Sequence, residues 1–505
     1  MMKKPASIII LIGFTFIAIS TLNAQGQRSN ADPCMPCEQL LELNLPDVHI
    51  TSAERVVENK PHCRIMGVIG SEIIFDLLLP DEWNGRYVME GNGGFAGILQ
   101  GDRSRVSEGY AIGGTNTGHD GNILRAHWAL NHMERQLNFG HLAVHRTAVT
   151  SQEILRQYYG SPPEFSYFIG CSRGGGQAMM EAQRYPRDFD GIVAGAPAFN
   201  WPAIGAEFIQ NTRIIYRDPD HLDQPILTTS NLKLLESIVL DQCDALDGLE
   251  DGILNDPRDC DLNFNLLPVC PDDTIGDECF TQDQIEAIKT VYSGVYVGNE
   301  EIYPGFPYGC ESENGGWNPW IVGSAEWSQV SKVPSLHYAF GTEMFKYLIF
   351  QNPDWEYNTY DLSNFFKETR YASSYLDATS TNYTDFMEMG GKMIIYHGWN
   401  DPALSAFATV KHYEAAKSAD QDIEAYIRLF LLPGVLHCGG GPGPDQTDWL
   451  GLVSDWVENG RAPERVILTK QQDHKEISRP VYPYPGISVY NGMGDPDQEG
   501  SFIKK

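Results

Sequence analysis

Gly170-Cys171-Ser172-Arg173-Gly174 matches G-x-S-x-G, a pattern in which a serine hydroxyl serves as the nucleophile of acyl transfer. The pentapeptide alone carries little weight in a chain with 49 glycines. Its surroundings carry more. Residues 166–170 are an apolar run that reads as a strand, and the small residues Gly175, Gly176 and Ala178 open a helix that runs through Arg184. The glycines permit a sharp strand-to-helix turn that pushes the serine oxygen into a cleft. The N-terminus of the following helix offers backbone N–H groups to a developing oxyanion.

A serine hydroxyl is a poor nucleophile without a base, and the base needs an acid to orient it. Where a strand–serine–helix elbow of this kind is used, the chain order is serine, acid, histidine. Asp401 follows the apolar run 392–398, and His437 follows the run 427–432. Any one of 13 histidines in the right place would mean little. Three residues in the required order, each just past a strand, mean much more. His397 competes as the base, but it precedes the acid and reads as a core histidine supporting the site. Cys171 precedes Ser172 and Cys438 follows His437. If serine and histidine meet in space, these two cysteines are neighbours as well, and a bridge between them would hold the pair in register.

The elements that must position these residues alternate. Strands are expected at 72–79, 86–90, 166–170, 191–195, 392–398 and 427–432, and helices at 141–159, 173–184 and 402–418. Strands alternating with helices predict a mostly parallel sheet covered on both faces. Between residues 203 and 387 the alternation stops in favour of helical pieces, a cysteine-rich acidic loop and a Gly/Trp/Pro-rich tract over 303–320. A connection that long should be structured. The expected fold class is therefore α/β: an α/β-hydrolase core from residues 25–202 and 388–505, split by an inserted lid domain at 203–387. The glycine loop Gly91-Asn92-Gly93-Gly94 after the early strand 86–90 is expected to bring a second oxyanion donor, Gly93 or Gly94, beside the amide of Arg173.

The first 24 residues read as a secretory signal peptide. Lys3 and Lys4 precede an apolar stretch at 8–19, and Leu22-Asn23-Ala24 gives a small-residue cleavage site. The apolar stretch is short for a membrane span, so an uncleaved anchor is the weaker reading. Loss of the two lysines takes the formal net charge from −31 to −33, since residues 1–24 contain no acid. So acidic a surface excludes nucleic acid and anionic membranes as partners. The expected location is outside the cell or in the periplasm. All ten cysteines lie beyond the leader, and an even count in an exported chain reads as disulfides.

Asp244-Ala245-Leu246-Asp247-Gly248-Leu249-Glu250-Asp251-Gly252-Ile253 sets acidic residues at intervals of three and four, with glycines for tight turns. Such a loop suits Ca²⁺ through hard oxygen donors, although the spacing is not that of an EF-hand. From spacing alone a solvated acidic loop fits equally well.

Taken together, the chain resembles the tannase and feruloyl esterase family over nearly all of its mature length. The resemblance rests on Gly-Cys-Ser-x-Gly-Gly at 170–175, His-Gly-x-x-Asp at 397–401 and His-Cys-x-Gly-Gly-x-Gly at 437–443. Supporting stretches are 91–97, 115–119, 456–460 and Ala462-Pro463. The resemblance implies a Cys171–Cys438 bridge and a structural lid calcium held by the carboxylates of Asp244, Asp247 and Asp251 with the carbonyls of Leu249 and Ile253. Pairs Cys243–Cys260 and Cys270–Cys279 are expected to staple that loop, and Cys37–Cys63 to bridge the N-terminal region. The pairing of Cys34 and Cys310 stays open. The tract 479–485 lacks a cysteine that many relatives carry, so one family disulfide is expected to be missing.

The resemblance implies a serine carboxylic ester hydrolase acting on aromatic esters through an acyl-enzyme. Its partner would be a small aromatic ester or a feruloylated polysaccharide. Feruloyl esters come first, galloyl esters second and terephthalate-type monoesters third. The aromatic residues of 303–360 are the pool from which the acyl pocket would draw its walls. A calcium-dependent binding protein without catalysis is the reading from another class, and the intact serine, aspartate and histidine speak against it. A secreted peptidase is a further alternative.

Overall fold

Short runs of β-branched and aromatic residues form the strands that carry the site. The computed structural model describes residues 32–505 except 59 and 473, so the expected leader lies outside the described residues. Nine strands build one sheet: β1 (Val48–Val56), β2 (His62–Ile69), β3 (Ile73–Pro80), β4 (Arg86–Glu90), β5 (Ala111–Thr115), β6 (Phe165–Cys171), β7 (Gly191–Gly195), β8 (Lys392–Gly398) and β9 (Ile427–Leu432). Their order is β1-β2-β3-β5-β4-β6-β7-β8-β9. The pairs from β1 to β5 are antiparallel. Every pair from β5 through β4 to β9 is parallel.

The parallel half is covered on both faces by α1 (Ala143–Tyr159), α2 (Arg173–Arg184), α5 (Ala406–Ala419) and α6 (Trp449–Asn459), while α3 (Trp201–Ile215) and α4 (Leu336–Glu343) lie between β7 and β8 in the chain. Helices α1 and α2 pack on one face, against β3 and β5 and against β6 and β7. Helix α6 packs on the other, against β6, β7 and β8. All five residues of β7 are buried, as expected of a parallel strand sandwiched between layers. In β5 the pair Gly113-Gly114 has a packing cause: a Cβ at Gly113 would sit 2.4 Å from the Tyr87 hydroxyl.

Between β7 and β8 the chain leaves the sheet. Helices α3 and α4 pack together and join the main core through Trp201, Ile204, Phe208 and Met344. Further along, a second core is drawn wholly from the insertion, with Leu235, Val239, Ile288, Val291, Trp317 and Ile321 among its buried members. The disulfides Cys243–Cys260 and Cys270–Cys279 staple its acidic face. Cys37–Cys63 ties the N-terminal turn to β2. Cys34 and Cys310 do not pair; one is exposed and the other buried. Among the described residues no helix is long and apolar enough to cross a membrane.

Candidate active site

Strand β6 delivers its last residue, Cys171, to the edge of a cleft, and α2 begins one residue after Ser172. Between them Ser172 has φ 63° and ψ −121°, a left-handed backbone that is costly for a side chain with a Cβ. The surroundings hold it there. Its N–H donates to the Gly195 carbonyl at 3.0 Å, and its carbonyl accepts from Gly176 and Ala198. Gly170 is required by closeness, because a Cβ there would lie 2.6 Å from the backbone of Gly174. The elbow is thus a strained turn locked between β6, α2 and the loop after β7.

Asp401 follows β8 and His437 follows β9. The structure brings them together: His437 Nδ1 donates to Asp401 Oδ2 at 2.8 Å. The other oxygen, Oδ1, accepts from the N–H groups of Ala403 (2.7 Å) and Leu404 (2.9 Å). His397 is fully buried beneath them, with Nε2 3.1 Å from Asp401 Oδ2 and Nδ1 accepting from Thr409 Oγ1 at 2.8 Å. Burial pushes the Asp401 carboxyl up. The charge of His437 and the hydrogen bonds from His397 and His437 outweigh it and hold the group below the usual carboxylate range. Asp401 is therefore an ionised acceptor that fixes the proton of His437 on Nδ1 and leaves Nε2 free to take a proton.

Ser172 and His437 line one pocket with Gly94 and Arg173. The disulfide Cys171–Cys438 joins the two loops, with Cα atoms 6.0 Å apart. Of the two glycines expected to complete the oxyanion hole, the structure separates one from the other. Gly93 spends its N–H on Gln100 Oε1, whereas Gly94 lines the pocket, so of the two alternatives the geometry favours Gly94. The glycine loop is itself held from below. Asn92 Nδ2 donates to the Thr115 carbonyl at 2.8 Å, and His119 Nε2 donates to the Phe95 carbonyl at 2.9 Å while its ring stacks on Trp128.

The pocket walls are mostly apolar. Trp201, Ile204 and Phe208 come from α3, and Phe340 and Met344 from α4 and the turn after it. Trp320 sets its edge against the His437 ring at 5.0 Å. The tract 303–360 was expected to supply the walls, and Trp320, Phe340 and Met344 come from it; α3 adds a wall that the sequence did not single out. The insertion also grips the acid loop. Asn400 Nδ2 donates to the carbonyls of Tyr308 (2.7 Å) and Gly309 (3.0 Å). His337 Nε2 donates to the Pro402 carbonyl at 3.0 Å, and Ser405 Oγ to that of Gly305 at 2.6 Å. None of these contacts had a sequence signal, because each joins segments far apart in the chain.

The acidic loop folds back on itself. Asp244 accepts from Gly252 N–H, Asp247 from Leu249 and Asn255 N–H, and Asp251 from Ile253 N–H. Arg479 reaches Asp251 Oδ2 at 2.6 Å. Burial, aided by the charge of Asp251, pushes Asp247 up to about 6. Among the described residues no three acidic, histidine or cysteine side chains converge as a ready metal cage. The donor set is nevertheless one of hard oxygens carrying excess negative charge, which is the chemistry Ca²⁺ takes.

Comparison with known proteins adds a lineage to this geometry. A family model described as tannase and feruloyl esterase matches residues 55–504. The mono(2-hydroxyethyl) terephthalate hydrolase of Piscinibacter sakaiensis is 31% identical, over 87% of this chain and 84% of its own length. Feruloyl esterase B of Aspergillus niger is 29% identical, over 83% and 81%. A crystal structure of an esterase from Aspergillus oryzae superposes with a TM-score of 0.82 at 25% identity, covering 93% of this chain and 99% of that one. The fold is that of an α/β-hydrolase.

Proposed function

Because the chain belongs to the tannase and feruloyl esterase family and is a carboxylic ester hydrolase, we propose that it is an exported serine esterase that cleaves feruloyl and related hydroxycinnamoyl esters. The observation that carries this reading is a pocket lined by Ser172 and His437 together with Trp201, Phe208, Trp320 and Phe340. Flat aromatic walls around a nucleophile suit a planar aromatic acyl group. Residues 203–387 act as its lid, since Trp320 and Phe340 come from that stretch, and the described residues up to 202 with 388–505 form the catalytic domain.

In the reaction Ser172 Oγ attacks the ester carbonyl while its proton passes to His437 Nε2. The amides of Arg173 and Gly94 receive the oxyanion. Collapse of the tetrahedral adduct expels the alcohol, which leaves with the proton from His437. Water then attacks the acyl-enzyme by the same route, giving the free acid and restoring Ser172. Asp401 keeps the imidazole in the right tautomer throughout. Terephthalate monoesters are the second reading, favoured by the relative from Piscinibacter sakaiensis.

The leader-like start, the four disulfides and the acidic surface support a location outside the cytoplasm. A Ca²⁺ bound by Asp244, Asp247 and Asp251 with the carbonyls of Leu249 and Ile253 would brace the lid loop and take no part in acyl transfer.

The deciding experiment gives the mature protein and its Ser172→Ala variant methyl ferulate, methyl gallate and mono(2-hydroxyethyl) terephthalate side by side. Turnover of methyl ferulate with the highest kcat/KM, lost in the variant, supports the reading. Preference for either other ester reassigns the substrate, and activity surviving in the variant removes Ser172 from the mechanism.

A further inference from the structure

The reaction above uses the amide of Arg173 and leaves its side chain unexplained. Arg173 is 1% exposed and is one of the residues that line the pocket with Ser172 and His437. Its Nη2 donates to the carbonyls of Phe139 and Gly140. Both lie in a π-helical turn, Asn138–Leu142, that runs directly into α1. Such turns break the regular i→i−4 pairing, and they recur at functional sites. The guanidinium carbon lies 4.5 Å from the Phe139 ring centroid and 5.2 Å from that of Trp201. Nε and Nη1 have no partner among the described residues.

Among the described residues no carboxylate hydrogen-bonds to this charge. Burial alone acts on the guanidinium, pushing it down to about 9, which still leaves it charged at neutral pH. The titratable group nearest along the π turn, His141, is held at about 4, by burial first and then by the charges of Arg184 and Arg173, so it is neutral. An unpaired charge among aromatic rings is expensive to bury. A methionine or leucine would fill the same space without that cost, so packing alone does not account for an arginine here.

An anion does arise next to this position during ester hydrolysis. The ester carbonyl oxygen becomes an oxyanion when Ser172, the preceding residue, attacks. In a water-poor site a fixed charge acts over several ångströms and needs no reorganisation when the transition state forms. We propose that the Arg173 guanidinium is the counter-charge to the tetrahedral oxyanion, acting through the electric field from behind the oxyanion hole and not by contact with substrate. The proposal rests on the serine-esterase reading. It explains why a cation is buried, why it is held by two carbonyls and two π faces, and why no carboxylate neutralises it: a partner carboxylate would cancel the field.

The test compares wild type with Arg173→Met, which removes the charge at similar length, and Arg173→Lys, which keeps it. With methyl ferulate, Arg173→Met is expected to lower kcat about tenfold or more with KM within about twofold, because a neutral ester feels the charge only in the transition state. Arg173→Lys should recover most of the loss. Phenylboronic acid, which forms an anionic tetrahedral adduct with an active serine, gives a readout that needs no turnover. Its binding should be lost in Ser172→Ala, weakened about tenfold in Arg173→Met and retained in Arg173→Lys. If ester turnover and boronate binding prove independent of Ser172, the esterase reading fails and this proposal fails with it; if both need Ser172 but not the Arg173 charge, this proposal alone fails. Unchanged kcat and boronate affinity in Arg173→Met overturn the proposal. So does equal impairment of the Met and Lys variants, which would mark a packing role. A rise in KM confined to esters whose acyl ring bears a carboxylate also overturns it, since Arg173 would then be a substrate ligand. Should Arg173→Met fail to fold, the Lys variant decides: near wild-type kcat supports the charge, and a tenfold loss in a folded Lys variant rejects it.

Discussion

Cys171 and Cys438 are bonded across 267 residues of sequence, and each is the direct chain neighbour of one reacting side chain, Ser172 or His437. The bridge closes a loop large enough to take about 5 kcal/mol of entropy from the unfolded chain. It also fixes the spacing of nucleophile and base, where small misplacements cost rate. The double variant Cys171→Ala/Cys438→Ala is expected to lose about tenfold or more in kcat on methyl ferulate, with a lower Tm. A variant with lowered Tm but intact kcat would assign the bridge to stability alone.

Asp401 uses both carboxylate oxygens: Oδ1 on two backbone N–H groups and Oδ2 on two histidines. Replacing it by asparagine preserves shape while presenting an amide where His437 Nδ1 needs an acceptor. Asp401→Asn is therefore expected to reduce kcat by about 10⁴ with little change in KM, as in other serine triads. Steady-state kinetics with a circular-dichroism check of the fold reads this directly. A loss below about tenfold would mean that another group orients His437.

The same particulars show what a sequence can and cannot disclose. Strands β4, β7, β8 and β9 were legible residue for residue because a parallel strand buried on both faces has an apolar centre, here closed off by turn residues. β5 was hidden, since Gly113-Gly114 lacks any strand propensity and is there to let Tyr87 and Arg103 pack across it. The β1–β2 hairpin gave only a weak signal because half of β1 is exposed. Ser172, Asp401 and His437 stood out as a set because each follows a strand in the required order. Gly93 and Gly94 could not be told apart, because the difference lies in a hydrogen bond that Gly93 N–H donates to Gln100 Oε1. The burial of Arg173 was likewise invisible, since a charged residue is expected at the surface unless paired.

Buried carboxyls set the direction of the pH dependence of stability above pH 6.5. Burial is the leading cause that raises Glu311, Asp377 and Glu90 to about 7 and Glu207 well above its ordinary value. In the unfolded chain these groups ionise near 4.5 for Glu and 3.8 for Asp. Between those values and their folded ones, the unfolded chain binds fewer protons than the folded protein, so stability falls as pH rises. Asp401 works in the opposite sense, contributing stability above 3.8 that is lost only as pH falls below it. Self-repulsion from a net charge of −31 adds to the loss on the alkaline side. The buried histidines His119, His141 and His412, held at about 4 by burial, work against this below 6.5, so the carboxyls are read above that pH. Differential scanning calorimetry is expected to give a higher Tm at pH 6.5 than at pH 8, with the difference reduced in Glu311→Gln. A Tm that rises from pH 6.5 to pH 8 contradicts this assignment.

Calcium, if it braces the loop at 244–253, must appear in stability before it appears in rate. The loop belongs to the insertion, and its Asp251 is tied to Arg479 in the strand Lys475–Val481. A ligand held at about a hundred times its Kd adds about 2.7 kcal/mol to the folded state, or about 2–4 °C in Tm for a domain of this size. EGTA should lower the Tm of the purified protein by about that amount, and added Ca²⁺ should restore it. Asp247→Asn should reproduce the EGTA effect and make the protein indifferent to the chelator. Because Ser172, Asp401 and His437 owe their geometry to β6, β8 and β9, kcat at 25 °C should stay within about twofold of the untreated enzyme while Tm falls. A Tm indifferent to EGTA, with no calcium in the protein by elemental analysis, would return the loop to the reading that its spacing allowed from the start: a solvated acidic turn closed by its own backbone amides.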